Sequence, residues 1–299
     1  MSGTEHRPGH VMIFNADDFG LSPAINAGII GAYRLGPLRC TSIMPAAPAF
    51  DDAIALARRH PGLDLGIHLA LTTVRPVRPP TDVPSLVTAN GSFPSLRGWL
   101  ARLASGAIDA EDVARELSAQ VERALATGLP FSHIDGHHHI HLFPHVAPTV
   151  AVLARRHGIP FVRRVTSWRP EPGSRLPDVV RRVVLRVASG KAERAFAGLR
   201  QGVGDVRGFP FPRSLAGWRR ALAALPVGTT EMMCHPGLLD PSLSAIDPLV
   251  VERVEELRQL TDPRLASLLA EADVRVGSFA ALAASGEHVE WPATASRQY

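Results

Sequence analysis

Six of the chain's 13 histidines fall between His133 and His145, in the segment SHIDGHHHIHLFPH. If residues 131–136 run as a strand, alternation puts His133, Asp135 and His137 on one face and Ile134 on the other. Imidazoles and a carboxylate packed this densely are costly to bury unless each finds a partner. Metal ligation is the common purpose, with the members that do not ligate orienting those that do. A hydrogen-bonded structural cluster is the alternative. Three other places carry the same chemistry: Asp17-Asp18 after an apolar run, His68 in GIHLAL, and His235 in MMCHPG. Two adjacent carboxylates can divide labour, one holding a cation while the other takes a proton from water. An acidic pair after a strand also caps a turn, a reading that Gly20 and Ser22 serve equally well. Taken alone, His68 also fits a satisfied core histidine. His235 suits a general acid. Cys234 does not turn it into a thiol–imidazole pair, because neighbouring strand residues point to opposite faces; the thiol reads as a small buried hydrophobe.

These residues need elements to hold them. Apolar, β-branched runs predict strands at 11–15, 41–44, 63–69, 131–136, 160–165, 205–209, 229–234 and 274–276. Helical patterns fall between them at 23–35, 51–59, 109–127, 144–157, 215–225, 248–260 and 263–272. The first helix carries its own signals: Ser22 as N-cap, Pro23 in the first turn and Gly36 at the C-terminus. Strands that alternate with helices imply a parallel sheet, and seven or eight of them favour a (β/α) barrel of TIM-barrel type, with irregularities, over an open sheet. In such a barrel Asp17, Asp18, His68, the histidine run and His235 all lie at strand ends on the C-terminal rim, where catalytic residues gather. No linker or internal repeat divides the chain, so residues 1–299 read as one domain with insertions at about 72–98 and 166–204. The first insertion is Pro-rich and too long for an ordinary loop, which points to a functional segment or a cover.

Composition narrows the class. At 299 residues, 45% hydrophobic and 20% charged, the chain is neither disordered nor fibrous. No apolar run is long enough to span a bilayer, and the polar opening MSGTEHRPGH has no secretory core. Two cysteines make no disulfide scaffold, so a reducing cytoplasm is the expected compartment. The net charge of +4 comes from scattered arginines, which argues against a nucleic-acid partner. Residues 166–204 are the exception, with eight basic side chains that read as an amphipathic helix or as an anion-binding patch. The motifs GxSxG, GxxxxGK[ST] and GxGxxG are missing after strands, so serine-hydrolase, NTPase and dinucleotide chemistry lack their signatures. A homo-oligomer is compatible with the sequence, which fixes no stoichiometry.

Four segments in order, NADDFGLSPAINAGII, LGIHLAL, SHIDGHHHIHLFP and EMMCHPG, resemble the YdjC-like carbohydrate deacetylases, a family that includes chitooligosaccharide and hopanoid-associated deacetylases. The resemblance covers roughly residues 11–279. It implies an irregular (β/α) barrel that binds one divalent metal ion, usually assigned as magnesium, through one Asp and two His. Carried onto this sequence, the ligands are Asp18, His68 and His137, Asp17 matches the catalytic base, and His235 matches a site histidine that serves as acid. The implied reaction is hydrolysis of an N-acetylated amino sugar to acetate and a free amine. Three ligands leave positions open on the ion, as a catalytic site requires. Two imidazoles and a carboxylate also suit zinc, cobalt or nickel, so magnesium and zinc both stand as expectations. Hydrolysis of a different amide or ester, or sugar binding without catalysis, are the competing readings. The two insertions match no family motif. Trp168, Phe209, Phe211 and Phe19 are candidates for stacking on a sugar ring, and the apolar stretch 179–187 for a lipid-linked substrate.

Overall fold

The computed structural model describes residues 9–165, 176–201, 211–245, 247 and 249–285. Trp168, Phe209 and the strand expected at 205–209 lie outside them. The described elements run β1 (His10–Phe19), α1 (Pro23–Leu35), β2 (Cys40–Ile43), α2 (Phe50–Arg59), β3 (Asp64–Leu69), α3 (Leu96–Ala104), α4 (Ala110–Leu125), β4 (His133–Gly136) and α5 (Ala147–Arg156). They continue with β5 (Phe161–Val162), α6 (Leu176–Ala192), β6 (Arg200–Gln201), α7 (Leu215–Ala223), β7 (Gly228–Cys234), α8 (Val250–Leu260), α9 (Pro263–Glu271), β8 (Val274–Val276) and α10 (Phe279–Ser285).

All strand pairs are parallel, in the order β6-β5-β4-β3-β2-β1-β7, with β8 joining β1. The sheet is curled into a half-barrel of the (β/α) type that the alternating pattern predicted. Strand β1 is its spine. It pairs with β7 over residues 10–16, while its other edge takes β8 at residues 10–12 and β2 from Asn15 onward. The outward side chains of the strands, such as Phe14, Ala16, Leu65, Ile67, Ile134, Met232 and Cys234, pack against the helices in the main core. Period-2 alternation then sends Asn15, Asp17, Ser42, His68, His133, Asp135 and Glu231 inward. A second, small core of Ile13, Cys40, Phe161, Phe279 and Leu282 plugs the N-terminal end of the curl. Phe279 stacks there on His133 with ring centroids 4.2 Å apart.

The helix signals act as expected. Ser22 Oγ accepts from the Ile25 N–H, Asp109 caps α4, and Ser214 caps α7. Two expectations need correction. The strand expected at 11–15 runs on to Phe19, so Asp17 and Asp18 belong to it rather than follow it. The register against β2 shifts between Ala16 and Phe19, and this irregularity lets pairing continue past the acidic pair. The strand expected at 160–165 shrinks to Phe161–Val162. Helices α3 and α10 are additional to those expected. The basic insertion forms α6 in part: Leu185, Ala188 and Ala192 face inward while Arg186 and Lys191 face solvent. That is the amphipathic reading, and Val184 and Val187, 43% and 52% exposed, lie on the open surface.

The Pro-rich segment after β3 is tied down rather than loose. Glu116 of α4 accepts from the N–H groups of Val77 and Arg78, and Asp112 from that of Ser85, while Val83, Leu86 and Phe93 are buried. It is a cover bolted to α4 by carboxylates. No helix among the described residues is long and apolar enough to cross a membrane.

Candidate metal centre

The C-terminal ends of β1, β3, β4 and β7 bring Asp17, Asp18, His68, His137 and His235 to one rim. Asp18 is the pivot. Its φ of 67° is left-handed, a conformation that Asp tolerates better than most residues, and the Leu21 N–H closes a turn onto its carbonyl at 3.0 Å. This break in alternation lets two consecutive buried carboxylates meet different partners. Asp18 Oδ1 lies 2.8 Å from His137 Nδ1 and 3.3 Å from His68 Nε2. Asp17 turns instead to Arg163, which grips both its oxygens at 2.7 Å.

The histidine run resolves into separate tasks. His133 is buried on the inner face of the sheet, its Nε2 3.2 Å from both Asn15 Oδ1 and Ser42 Oγ. It crosses Gly66 so closely that a Cβ there would fall 2.2 Å from Nε2, which is why β3 carries a glycine at that register. His137 follows β4 rather than ending it and opens a tight turn, His137–Leu142, in which His138 and His139 are both left-handed. That turn swings His137 toward Asp18. His138 pairs with Thr72 at 2.9 Å, and His141 Nε2 donates to the Arg163 carbonyl at 3.1 Å. Burial pushes His141 down to about 4, so its ring is neutral at physiological pH.

The donor atoms of Asp18, His68 and His137 lie within 4.8 Å of one another and all three residues are buried. Their surroundings fit a cation. His68 Nδ1 donates to Asp135 Oδ1 at 2.7 Å, which leaves Nε2 to face Asp18 and gives the carboxylate–histidine arrangement seen behind metal-bound imidazoles. One carboxylate and two imidazoles are a donor set suited to a borderline divalent ion. Asp18 is charged for the purpose: burial alone would raise its carboxyl, but Arg253 and His137 outweigh burial and hold it well below the usual range. In the same way burial disfavours a charged His68, yet Asp135 and Asp17 lift it to about 10, so a cation entering the site displaces a proton from this ring. Asp17, His68 and Asp135 form a second convergent group. It suits a cation less well, because Arg163 holds both Asp17 oxygens and Asp135 Oδ2 while His68 Nδ1 holds Asp135 Oδ1, whereas Arg253 takes only Oδ2 of Asp18 and leaves Oδ1 facing the imidazoles.

Several residues that complete the centre carry no sequence signature. Arg163, fully buried just after β5, binds Asp17, Asp135 and Glu231 with one guanidinium. Burial presses Glu231 up to about 7, only partly offset by Arg163. From α8, Arg253 bridges Asp18 Oδ2 at 2.5 Å and Asp247 at 2.6 Å. Glu256, also on α8, faces His235. Their positions, in the segment after β5, in β7 and in α8, match no spacing rule; only the Asp-His cluster's need for counter-charges could have hinted at them. Cys234 points outward and its Sγ contacts the Asn15 carbonyl at 3.4 Å, so it takes no part.

A half-barrel of parallel strands with a buried Asp-His-His group on its C-terminal rim defines a (β/α)-barrel protein in which that group could hold a cation. The YdjC-like protein family model matches residues 11–271. The chain belongs to the YdjC-like family. It is 38% identical over 264 residues to a carbohydrate deacetylase of Geobacillus stearothermophilus, covering 88% of this chain and 94% of the relative. It is 34% identical over 275 residues to a chitooligosaccharide deacetylase of Yersinia pestis, covering 90% and 98%. Among solved structures, a protein of Enterococcus faecalis whose name gives cellobiose-phosphate cleavage as its suspected role superposes with a TM-score of 0.73 at 25% identity, covering 92% of this chain and 99% of that one.

Proposed function

We propose that this chain is a metal-dependent carbohydrate deacetylase that hydrolyses the acetamide of an N-acetylated amino sugar to acetate and a free amine. The observation that carries the reading is the convergence of Asp18, His68 and His137 donor atoms within 4.8 Å, flanked by Asp17 and His235. Relatives named carbohydrate and chitooligosaccharide deacetylases support the reaction and the substrate class. A divalent cation held by these three residues would polarise the amide carbonyl and acidify a water beside it.

The chain's own residues then carry the protons. Asp17 accepts one from the attacking water, with Arg163 fixing both of its oxygens so that the carboxylate does not rotate away. The water oxygen bonds to the carbonyl carbon, and the C–N bond breaks as His235 gives its Nε2 proton to the departing nitrogen. Asp17 Oδ2 and His235 Nε2 are 4.0 Å apart, so the two groups face one reacting position from either side. The donor set favours zinc or a similar ion over magnesium, which prefers an all-oxygen shell.

The test is acetate release from diacetylchitobiose by the protein as purified, after chelation, and after return of magnesium, zinc or cobalt. Release abolished by chelation and restored by one of these ions is the expected result. No release with one cation bound per chain would reject this sugar as substrate and move the search to other N-acyl conjugates.

A further inference from the structure

Helix α8 turns two charged side chains toward the centre one turn apart, Arg253 and Glu256, 2% and 6% exposed. Both Glu256 oxygens face one residue. Oε2 accepts the backbone N–H of His235 at 2.5 Å, and Oε1 lies 3.8 Å from its ring Nδ1, an ion-pair distance. The opposite ring nitrogen, Nε2, faces Asp17 Oδ2 at 4.0 Å. The seat is rigid: the Gly237 N–H donates to the Arg253 carbonyl at 3.2 Å, and a Cβ on Gly28 would fall 2.4 Å from Gly237 Cα. Helix α1, the turn after β7 and α8 are therefore locked together around His235.

We propose that Glu256 is the positioning residue for His235: it holds a proton on Nδ1 and so reserves Nε2 as the nitrogen that gives up its proton at the reacting centre. The proposal rests on the deacetylase reading for the identity of that reaction. A carboxylate can only accept, and His235 Nδ1 is shut off from solvent and makes no hydrogen bond; Glu256 Oε1, 3.8 Å away, is the carboxylate oxygen that faces it. In the charged ring both nitrogens carry protons, and in the neutral ring Glu256 keeps the one on Nδ1. The proton that moves is then always on Nε2, the side that faces Asp17. The charged groups around the ring agree with this. Burial opposes the imidazolium, Glu256 and then Asp17 favour it, Arg253 opposes it, and the balance lies above the ordinary histidine value.

Glu256→Gln separates positioning from scaffolding. The amide oxygen still accepts the His235 backbone N–H, but the NH2 group now meets Nδ1 and reverses the sense of that contact. His235 ring titration, followed by NMR and assigned by the peak lost in His235→Gln, is expected to fall by about one pH unit or more in Glu256→Gln. In the wild type, ring nitrogen shifts at high pH should show the Nδ1–H tautomer. This readout keeps the proposal testable if Glu256→Gln does not fold. Acetate release should drop about tenfold in kcat with KM nearly unchanged. A titration midpoint that does not move, or an Nε2–H tautomer in the wild type, would overturn the proposal and leave Glu256 as a backbone anchor. If the midpoint shifts but neither protein releases acetate, the positioning stands and the deacetylase reading falls.

Discussion

Asp135 Oδ1 sits 2.7 Å behind His68 Nδ1, on the side of the ring away from Asp18. The same carboxylate gives its other oxygen to Ser42 and Arg163 at 2.6 Å each, so it cannot swing out of place. One buried side chain thereby fixes the tautomer and orientation of a candidate ligand and also joins it to the guanidinium that holds Asp17. Asp135 is fully buried, and Arg163 and His68 overcome the cost of burying its charge. Asp135→Asn should therefore weaken divalent-ion affinity about 10- to 100-fold without abolishing binding. Titration calorimetry reads this directly. Wild-type affinity in the variant would mean that His68 needs no orientation from behind.

The roles of the acidic pair separate in a different experiment. Asp18→Ala or His137→Ala should lose bound metal and acetate release together, as measured by metal content per chain. Asp17→Asn should keep the metal and lose turnover by a factor of about 100 or more, because Asn cannot accept a proton. A fully active Asp17→Asn protein would reduce Asp17 to a structural partner of Arg163, and stoichiometric metal in both ligand variants would remove the proposed site.

What the sequence made legible is the half of the site that sits at strand ends. Asp18, His68, His137 and His235 follow apolar runs, and parallel-strand logic alone carries them to one rim. The alternation rule also put His133 and Asp135 on the inner face. The turn that aims His137 was not readable, since it depends on left-handed backbone at His138 and His139, residue types that give no signal for it. Nor were Arg163, Glu231, Arg253 and Glu256, which are isolated charged residues among many. An arginine in a surface helix and one fully buried against three carboxylates look alike in sequence. Only packing distinguishes them, and packing also set the true end of β1 through its irregular pairing with β2.

Arg253 makes its own prediction because it lies between two buried acids, Asp18 and Asp247. Arg253→Met keeps the apolar stem that packs on Gly237 but strands both carboxylates. The metal-free protein should lose about 3–5 kcal/mol of stability, the usual result of removing one side of a buried ion pair. A saturating divalent cation supplies positive charge next to Asp18, so it should narrow the gap in melting temperature between variant and wild type. An equal gap with and without the ion would show that Arg253 and the cation do not share Asp18.

Glu231 is the residue whose ionisation should be visible in the stability curve. It is fully buried, and burial raises it from 4.5 to about 7 against the pull of Arg163. The unfolded chain releases this proton near the ordinary carboxyl value, whereas the folded chain keeps it until about pH 7. Between those two values the folded state binds the extra proton, so Glu231 makes the protein progressively less stable as pH rises through that window. Below it the side chain is neutral in both states and carries no such penalty. Glu231→Gln is neutral at every pH and leaves Arg163 with Asp17 and Asp135. Relative to wild type, the variant should therefore gain up to about 3 kcal/mol as pH rises through the window, because a tenfold change in proton affinity corresponds to about 1.4 kcal/mol. Urea unfolding of both proteins at several pH values measures the difference. If the two stability curves run parallel, Glu231 ionises at the ordinary carboxyl value in the folded protein as well, and the single guanidinium of Arg163 offsets the burial of all three carboxylates.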